Sequence, residues 1–376
     1  MSWKDAVARV TSNVEGKFDE LRYRFYERMN AGGPVMILPY RGLGTRTHIY
    51  LKGRLLEDNG LRGTTDNDSL WDNLLAAYRR LESDEIPGVR VGLRYGEHET
   101  IVAANHEGFF EFSLDVPEGL PQEHLHHEVE LWLPDEVRGQ TGVTATGQVV
   151  VPPVDSTYGI ISDIDDTILQ TDATNLLTAA RLTFMENART RKPFEGVAAL
   201  YRALQVGPEG TNTNPIFFVS SGPWNLYDLL VEFMEHNEIP SGPIFLQDYG
   251  VEPEKLIHAD HLEHKLAAIE RVLATYPDLP FVLIGDSGQK DPEVYSRAVD
   301  DFPGRIKAIY IRDVSVGARD EEIIGLADRL KAGNVPMVLA SDSRAAAEHA
   351  AEHGLIQWEE KPAVEKETEE ELRVEN

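Results

Sequence analysis

From Tyr158 onward the chain alternates short apolar runs with amphipathic helical stretches, and that rhythm leaves few folds open. Tyr158 to Ser162, Ile216 to Val219, Ile244 to Leu246, Phe281 to Ile284, Ile306 to Ile311 and Met337 to Ala340 read as strands. Trp224 to His236, His261 to Tyr276, Pro292 to Phe302, Glu321 to Ala332 and Ser343 to His353 read as the helices between and after them. Such alternation favours a parallel sheet with helices on both faces. In that arrangement sites lie beyond the carboxyl ends of the strands.

Upstream the pattern changes twice. Trp3, Val7, Val10, Val14, Phe18, Leu21 and Phe25 recur at spacings of three and four, so the first stretch is expected to be an amphipathic leader helix, residues 1–33 with its exit. Its charges nearly balance, and docking on its own protein is favoured over a membrane or a partner. Residues 34–153 carry short β-rich runs punctuated by Gly, Pro and Asp: Val35 to Leu38, His48 to Leu51, Val89 to Arg94, Phe109 to Leu114, Val129 to Leu133 and Gln148 to Val151. They are expected to form an all-β sandwich, interrupted by one helix from Ser69 to Leu81. Arg41-Gly42-Leu43-Gly44-Thr45 lacks the third glycine of a nucleotide loop and reads as a turn.

Composition removes several function classes. There is no cysteine, hence no disulfide framework, thiol nucleophile or thiolate metal site, and any metal must be held by oxygen or imidazole. The 36 basic against 64 acidic residues give a net charge of −28, which repels nucleic acid and anionic membranes as general partners. No apolar stretch approaches the roughly 20 residues of a spanning helix, and the opening residues lack the continuous apolar segment of a secretory signal. No transmembrane segment is expected, and the protein is read as cytoplasmic, at most peripheral to a membrane. Eight glutamates crowd Glu359 to Asn376, so residues 357–376 are expected to be an acidic, disordered tail.

The strand ends hold the chemistry. Asp163, Asp165 and Asp166 follow one apolar strand with Thr167 directly after them. A single Asp there would be a cap or a turn residue. Three acids within four residues raise one another's pKa unless a cation or a basic side chain compensates, and a metal site is the economical explanation. A second strand ends in Ser220-Ser221-Gly222-Pro223, a hydroxyl and backbone N–H cluster at a helix start that can take an anion, although the same residues make an ordinary turn. Lys265 lies early in a helix, where an isolated lysine is usually solvated. Asp286 follows a third strand directly, and Asp291 precedes Pro292, where it can also cap a helix. His124, His126 and His127 have no recognised zinc-ligand spacing.

Taken in order, Asp163-x-Asp165-x-Thr167, Ser220 after a strand, Lys265 on a helix and Gly285-Asp286 followed by Asp291 resemble the four motifs of the haloacid dehalogenase superfamily. More narrowly, Ser-Asp-Ile-Asp-Asp-Thr, Val-Ser-Ser-Gly-Pro-Trp-Asn-Leu, His-Lys and Gly-Asp-Ser-Gly-Gln-Lys-Asp-Pro-Glu-Val-Tyr resemble the catalytic domain of the actin-patch-associated phosphatidate phosphatases and their bacterial relatives. The resemblance covers roughly Tyr158 to Ile356. It implies Asp163 as a nucleophile forming an aspartyl-phosphate and Asp165 as general acid and base. It further implies Mg²⁺ held by Asp163, the Asp165 carbonyl and Asp286, with Asp291 ligating directly, through water or only in support. Ser220 and Lys265 would bind the phosphoryl oxygens. An insertion at about residues 168–214 is expected to be a small helical cap over the site, and its Arg181, Arg189, Arg191 and Lys192 are candidate substrate contacts, or equally a solvated helix end.

The expected fold is thus an α/β chain: a Rossmann-like haloacid dehalogenase-type domain with a small helical cap, residues 154–356, preceded by the all-β sandwich. The expected activity is Mg²⁺-dependent phosphomonoester hydrolysis. Phosphatidate at a membrane surface is the substrate the resemblance implies. Its alternatives are a soluble sugar or nucleotide phosphate and, in a different class, a non-catalytic scaffold.

Overall fold

The computed structural model describes residues 33–58, 86–164, 167–168, 194–247, 261–314 and 319–375. The leader helix, the helix expected from Ser69 to Leu81, Asp165 and the cap segment with Arg181, Arg189, Arg191 and Lys192 lie outside them. Among the described residues no helix is long and apolar enough to cross a membrane.

The N-terminal half is built from β1 (Val35–Pro39), β2 (Gly42–Thr45), β3 (His48–Glu57), β4 (Arg90–Tyr95), β5 (His98–Ala103), β6 (Phe109–Asp115), β7 (His126–Trp132) and β8 (Thr144–Val150). Alternation sets which face each strand buries. In β6, for example, Phe110, Phe112 and Leu114 point inward while Glu111, Ser113 and Asp115 point out. The ten-residue β3 pairs with β6 on one side and with β1 and β2 in succession on the other. A parallel pairing of β2 with β8 then links that group to β7, β4 and β5. Ile49, Leu51, Val91, Phe112, Leu131 and Val149 belong to one buried apolar cluster.

The second half contributes β9 (Gly159–Asp163), β10 (Ile216–Pro223), β11 (Ile244–Gln247), β12 (Phe281–Asp286), β13 (Ile306–Arg312) and β14 (Met337–Ala340). They form one parallel sheet in the order β11-β10-β9-β12-β13-β14. Strands β9 and β12 are buried along their whole length, as expected where both faces of a parallel sheet are covered. The covering helices are α1 (Val197–Val206), α2 (Tyr227–His236), α3 (His261–Thr275), α4 (Asp291–Asp301), α5 (Asp320–Ala332), α6 (Ser343–Glu352) and α7 (Lys361–Glu375).

Two expectations are corrected. The architecture is not a Rossmann-like haloacid dehalogenase-type domain with a helical cap behind an all-β sandwich. It is a mixed α/β structure with two large sheets; the N-terminal strands join in a single eight-stranded sheet, and the described helix of the expected cap segment, α1, packs its Leu200, Tyr201 and Leu204 into one core with Ile160 and Phe218 of the parallel sheet. The physical reason is the β2–β8 pairing: alternation fixes which face of a strand is apolar, but not which strand lies beside it. The acidic tail is also not a disordered segment. It forms α7, with Val364 and Thr368, one helical turn apart, both buried.

The two halves share their cores. Tyr40 and Phe109 belong to the same apolar cluster as Tyr158, Tyr227 and Leu246. Leu43, Leu125 and Val150 belong with Phe217, Leu266 and Tyr276.

Candidate active site

Register explains how distant residues meet. In the centre of the parallel sheet Val219 of β10 lies beside Asp163 of β9, and Ile284 of β12 lies beside Ser162. Asp163, Ser220 and Asp286 therefore leave the same carboxyl edge on three adjacent strands. Helix α3 brings Lys265 over this edge, and α4 begins with Asp291.

Asp163, Asp286 and Asp291 each offer a carboxylate oxygen, and these oxygens lie within 4.8 Å of one another. All are essentially dry: Asp163 is 1% exposed, Asp286 and Asp291 0%, and Lys265 4%. The Lys265 ammonium lies 2.6 Å from Asp163 Oδ1 and 2.6 Å from Asp291 Oδ1, and donates to Gln289 Oε1 at 3.2 Å. Burial alone would push this lysine down, but Asp163 and Asp291 together outweigh it and hold the ammonium well above the ordinary lysine range. Lys265 is thus a fixed positive charge.

The loop after β12 is arranged around the two other acids. Asp286 Oδ1 accepts the backbone N–H groups of Gly288 at 2.7 Å and Gln289 at 2.8 Å. Asp291 Oδ2 accepts the Asp286 N–H at 3.1 Å. Gly285 allows that approach, since a Cβ there would lie 2.5 Å from Asp291 Oδ2. On the opposite flank Thr167 donates to Asp163 Oδ2 at 3.3 Å, and Gly222 N–H donates to Ser220 Oγ at 2.9 Å within the C-terminal part of β10. Next to Asp163, the Ser162 hydroxyl bonds the Tyr201 hydroxyl of α1, whose phenol burial pushes far up and keeps protonated.

Asp163, Lys265, Asp286 and Asp291 are brought into one buried cluster, with Ser220 at the adjoining strand end. Asp165, Arg181, Arg189, Arg191 and Lys192 lie outside the described residues. Sequence reasoning passed over Gln289 and Tyr201. Gln289 stands inside the Asp286 to Asp291 loop and had a positional signal; Tyr201 comes from a remote helix and had none.

As a donor set the cluster fits a hard divalent cation. Its ligand atoms are oxygens, and three carboxylates face one lysine, so the charges do not cancel without a further cation.

Residues 158–313 match the family model described as phosphatidate phosphatase APP1, catalytic domain. The phosphatidate phosphatase APP1 of Saccharomyces cerevisiae is 34% identical over 172 residues, 44% of this chain and 28% of that protein. An uncharacterized protein of Schizosaccharomyces pombe is 30% identical over 167 residues, 44% of this chain and 26% of its own. The chain therefore spans less than a third of the length of these curated relatives. Among solved structures, a carbohydrate acetylesterase from Xanthomonas citri overlaps 87% of this chain and 74% of its own at 11% identity with a TM-score of 0.27, a likeness too weak to bear on the fold.

Proposed function

We propose that the chain is a phosphatase that hydrolyses a phosphomonoester at Asp163, with a phosphatidate-like ester as its substrate. The observation that carries this reading is the buried contact of Lys265 with both Asp163 and Asp291. A lysine held charged beside a carboxylate nucleophile both orients that carboxylate and offers a counter-charge to phosphoryl oxygens. The match of residues 158–313 to the catalytic domain of phosphatidate phosphatase APP1 supports the same chemistry and is the source of the substrate class.

In the proposed reaction an Asp163 carboxylate oxygen attacks phosphorus, and the bond from phosphorus to the ester oxygen breaks. The departing alkoxide takes a proton from Asp165. Water, deprotonated by the same carboxylate, then cleaves the aspartyl-phosphate and returns Asp163 to its starting state. Lys265 and Ser220 hold the phosphoryl oxygens through both halves. Asp291 acts mainly by fixing Lys265, since one of its oxygens accepts from the ammonium and the other from the Asp286 N–H. Asp163 and Asp286 are the direct donors proposed for Mg²⁺, which when bound would offset the repulsion between the carboxylates and an incoming phosphate. Arg181, Arg189, Arg191 and Lys192 are retained as substrate contacts in this proposal.

A soluble phosphomonoester is the second reading, favoured by the net charge of −28, which opposes approach to an anionic lipid surface. Phosphate release from phosphatidate in mixed micelles and from a panel of soluble esters, each with Mg²⁺ or with chelator, tests both. Mg²⁺-dependent release from phosphatidate above the panel is expected, falling at least about a thousandfold in Asp163→Asn. Equal release by that variant would sink the nucleophile assignment, and release from the soluble panel alone would transfer the reading to a water-soluble ester.

A further inference from the structure

Helix α5 begins against local preference. Arg319 holds its N-cap position, where short polar side chains are favoured and a cation opposes the helix dipole, and its side chain does not cap the helix. Breaks of local preference concentrate at functional sites. The Arg319 guanidinium reaches instead to the loop between β12 and α4, the loop that joins Asp286 to Asp291.

There it is held on several sides. Arg319 Nη1 donates to the Ser287 carbonyl at 3.1 Å and also to the Gln289 carbonyl. Nη2 pairs with Glu293 in the first turn of α4, and Nε lies 3.3 Å from Glu322 on α5. One side chain, 20% exposed, thus ties the loop to the starts of two helices. Only a planar fork of donors reaches acceptors spread in this way; an ammonium is a point charge.

The bond to Ser287 leads directly to an acid of the site. The Ser287 C=O and the Gly288 N–H belong to one planar peptide unit. Its C=O accepts from Arg319 at 3.1 Å, and its N–H donates to Asp286 Oδ1 at 2.7 Å. A positive guanidinium, a peptide dipole and a negative carboxylate therefore form one chain in which each bond polarises the next. Turning that peptide plane breaks both bonds at once. Gly288 leaves little slack, since a Cβ there would lie 2.9 Å from Val314 Cγ2 and 3.1 Å from Asp286 Oδ1. Gln289 repeats the pattern: its N–H donates to Asp286 Oδ1 at 2.8 Å, and its C=O accepts from Arg319.

We propose that Arg319 is a positioning residue that acts through the Ser287–Gly288 peptide to hold the Asp286 carboxylate in the orientation that receives a divalent cation. Lys265 contacts Asp163 and Asp291 directly, and Arg319 serves the third acid at one remove. This deepens the phosphatase reading and rests on it for the cation. Arg319 also lies beyond residues 158–313, so the machinery extends past the stretch that matches the catalytic-domain model.

The test reads cation affinity apart from activity. Mg²⁺ is titrated calorimetrically into the full chain, unmodified and carrying Arg319→Met, Arg319→Lys or Arg329→Met. Arg329 is the control for a purely structural role, since it bonds Asp300 and Ser296 and so ties α5 to α4 away from the loop. Both Arg319 variants should bind Mg²⁺ about 10–100-fold more weakly, the usual cost of losing a group that orients a metal ligand. Arg329→Met should leave the affinity unchanged. Amide exchange at Gly288 and Gln289, followed by NMR without Mg²⁺, should quicken in Arg319→Met and not in Arg329→Met. If Arg319→Met fails to fold, Arg319→Lys, which keeps the charge and the stem, decides the matter. Unchanged affinity in the Arg319 variants overturns the proposal, as does an unmodified chain that binds no Mg²⁺. An equal loss in Arg329→Met would also overturn it and reduce Arg319 to a strut between helices. The phosphatase reading fails separately: absent phosphate release with Mg²⁺ affinity lost in the Arg319 variants alone would leave the arginine's role standing, whereas release with unchanged affinity would remove that role alone.

Discussion

Acidic side chains meet this fold in two contrasting ways. At the carboxyl edge of the parallel sheet Asp163, Asp286 and Asp291 are wholly buried around one lysine, and their negative charge exceeds its positive charge. Helix α7, packed on α1 and α6, carries six glutamates and disperses them. Glu371 accepts the Gly196 N–H at 2.7 Å, and Glu367 accepts the Ala199 N–H at 2.8 Å and pairs with Arg202 at 2.5 Å. Helix α1 has a glycine with a φ of 71° at its N-cap and no side-chain cap of its own, so α7 supplies acceptors from the far end of the chain. The same residue type is structural where water and backbone N–H groups absorb its charge. Where neither suffices it closes on a buried ammonium, that of Lys265.

The sharpest way to break this contrast is Lys265→Met. Removing the cation of this cluster should cost about 3–5 kcal/mol, read from urea unfolding, because the carboxylates are left uncompensated. Added Mg²⁺ should restore more stability to this variant than it gives the unmodified chain. Because the folded-state value of Lys265 is raised, its contribution is fully present below the ordinary lysine value of 10.5 and is lost only as pH climbs above it. The deficit of Lys265→Met should therefore stay constant through the neutral range. A deficit no larger than that of a surface lysine would erase the distinction between the two regions.

Glu367→Ala probes the other side and should cost about 1 kcal/mol, the size of a lost helix cap. A loss matching that of Lys265→Met would show the two acid sets to be energetically alike. The smallest effect at neutral pH is expected on α6, which packs against α7. Burial, reinforced by the neighbouring His353, pushes His349 down to about 4. The folded state binds the proton less well than the unfolded chain, so stability should decline as pH falls from 6.5 to about 4. His349→Gln should remove that slope from the unfolding midpoint, and an unaltered slope would reassign it to the carboxylates.

Much of the site was legible because its residues stand directly after apolar runs. Asp163, Ser220 and Asp286 share one sheet edge by register alone, and the helical placement of Lys265 needed only the periodicity around it. The division of the N-terminal strands was not legible. Their alternation reveals the inward residues, but the parallel β2–β8 pairing joins segments about a hundred residues apart and leaves no local mark. Helix α7 was misread because its glutamates outweigh its few apolar residues in composition. Buried Val364 and Thr368 occupy only one narrow stripe.

The shared core has a consequence for cutting and grafting. Strand β13 is completed by β14, α1 is capped from α7, and Tyr40, Leu43, Phe109 and Val150 pack into clusters centred on the later sheet. A cassette excised at residues 158 and 313 would carry the acids and the lysine. It would also expose apolar faces on both sides and leave β13 as a bare edge. The portable unit of this sheet edge is therefore longer than the stretch that encodes its clustered acids and lysine, and a transplant that keeps the cluster intact must bring the upstream sheet and the terminal helices with it.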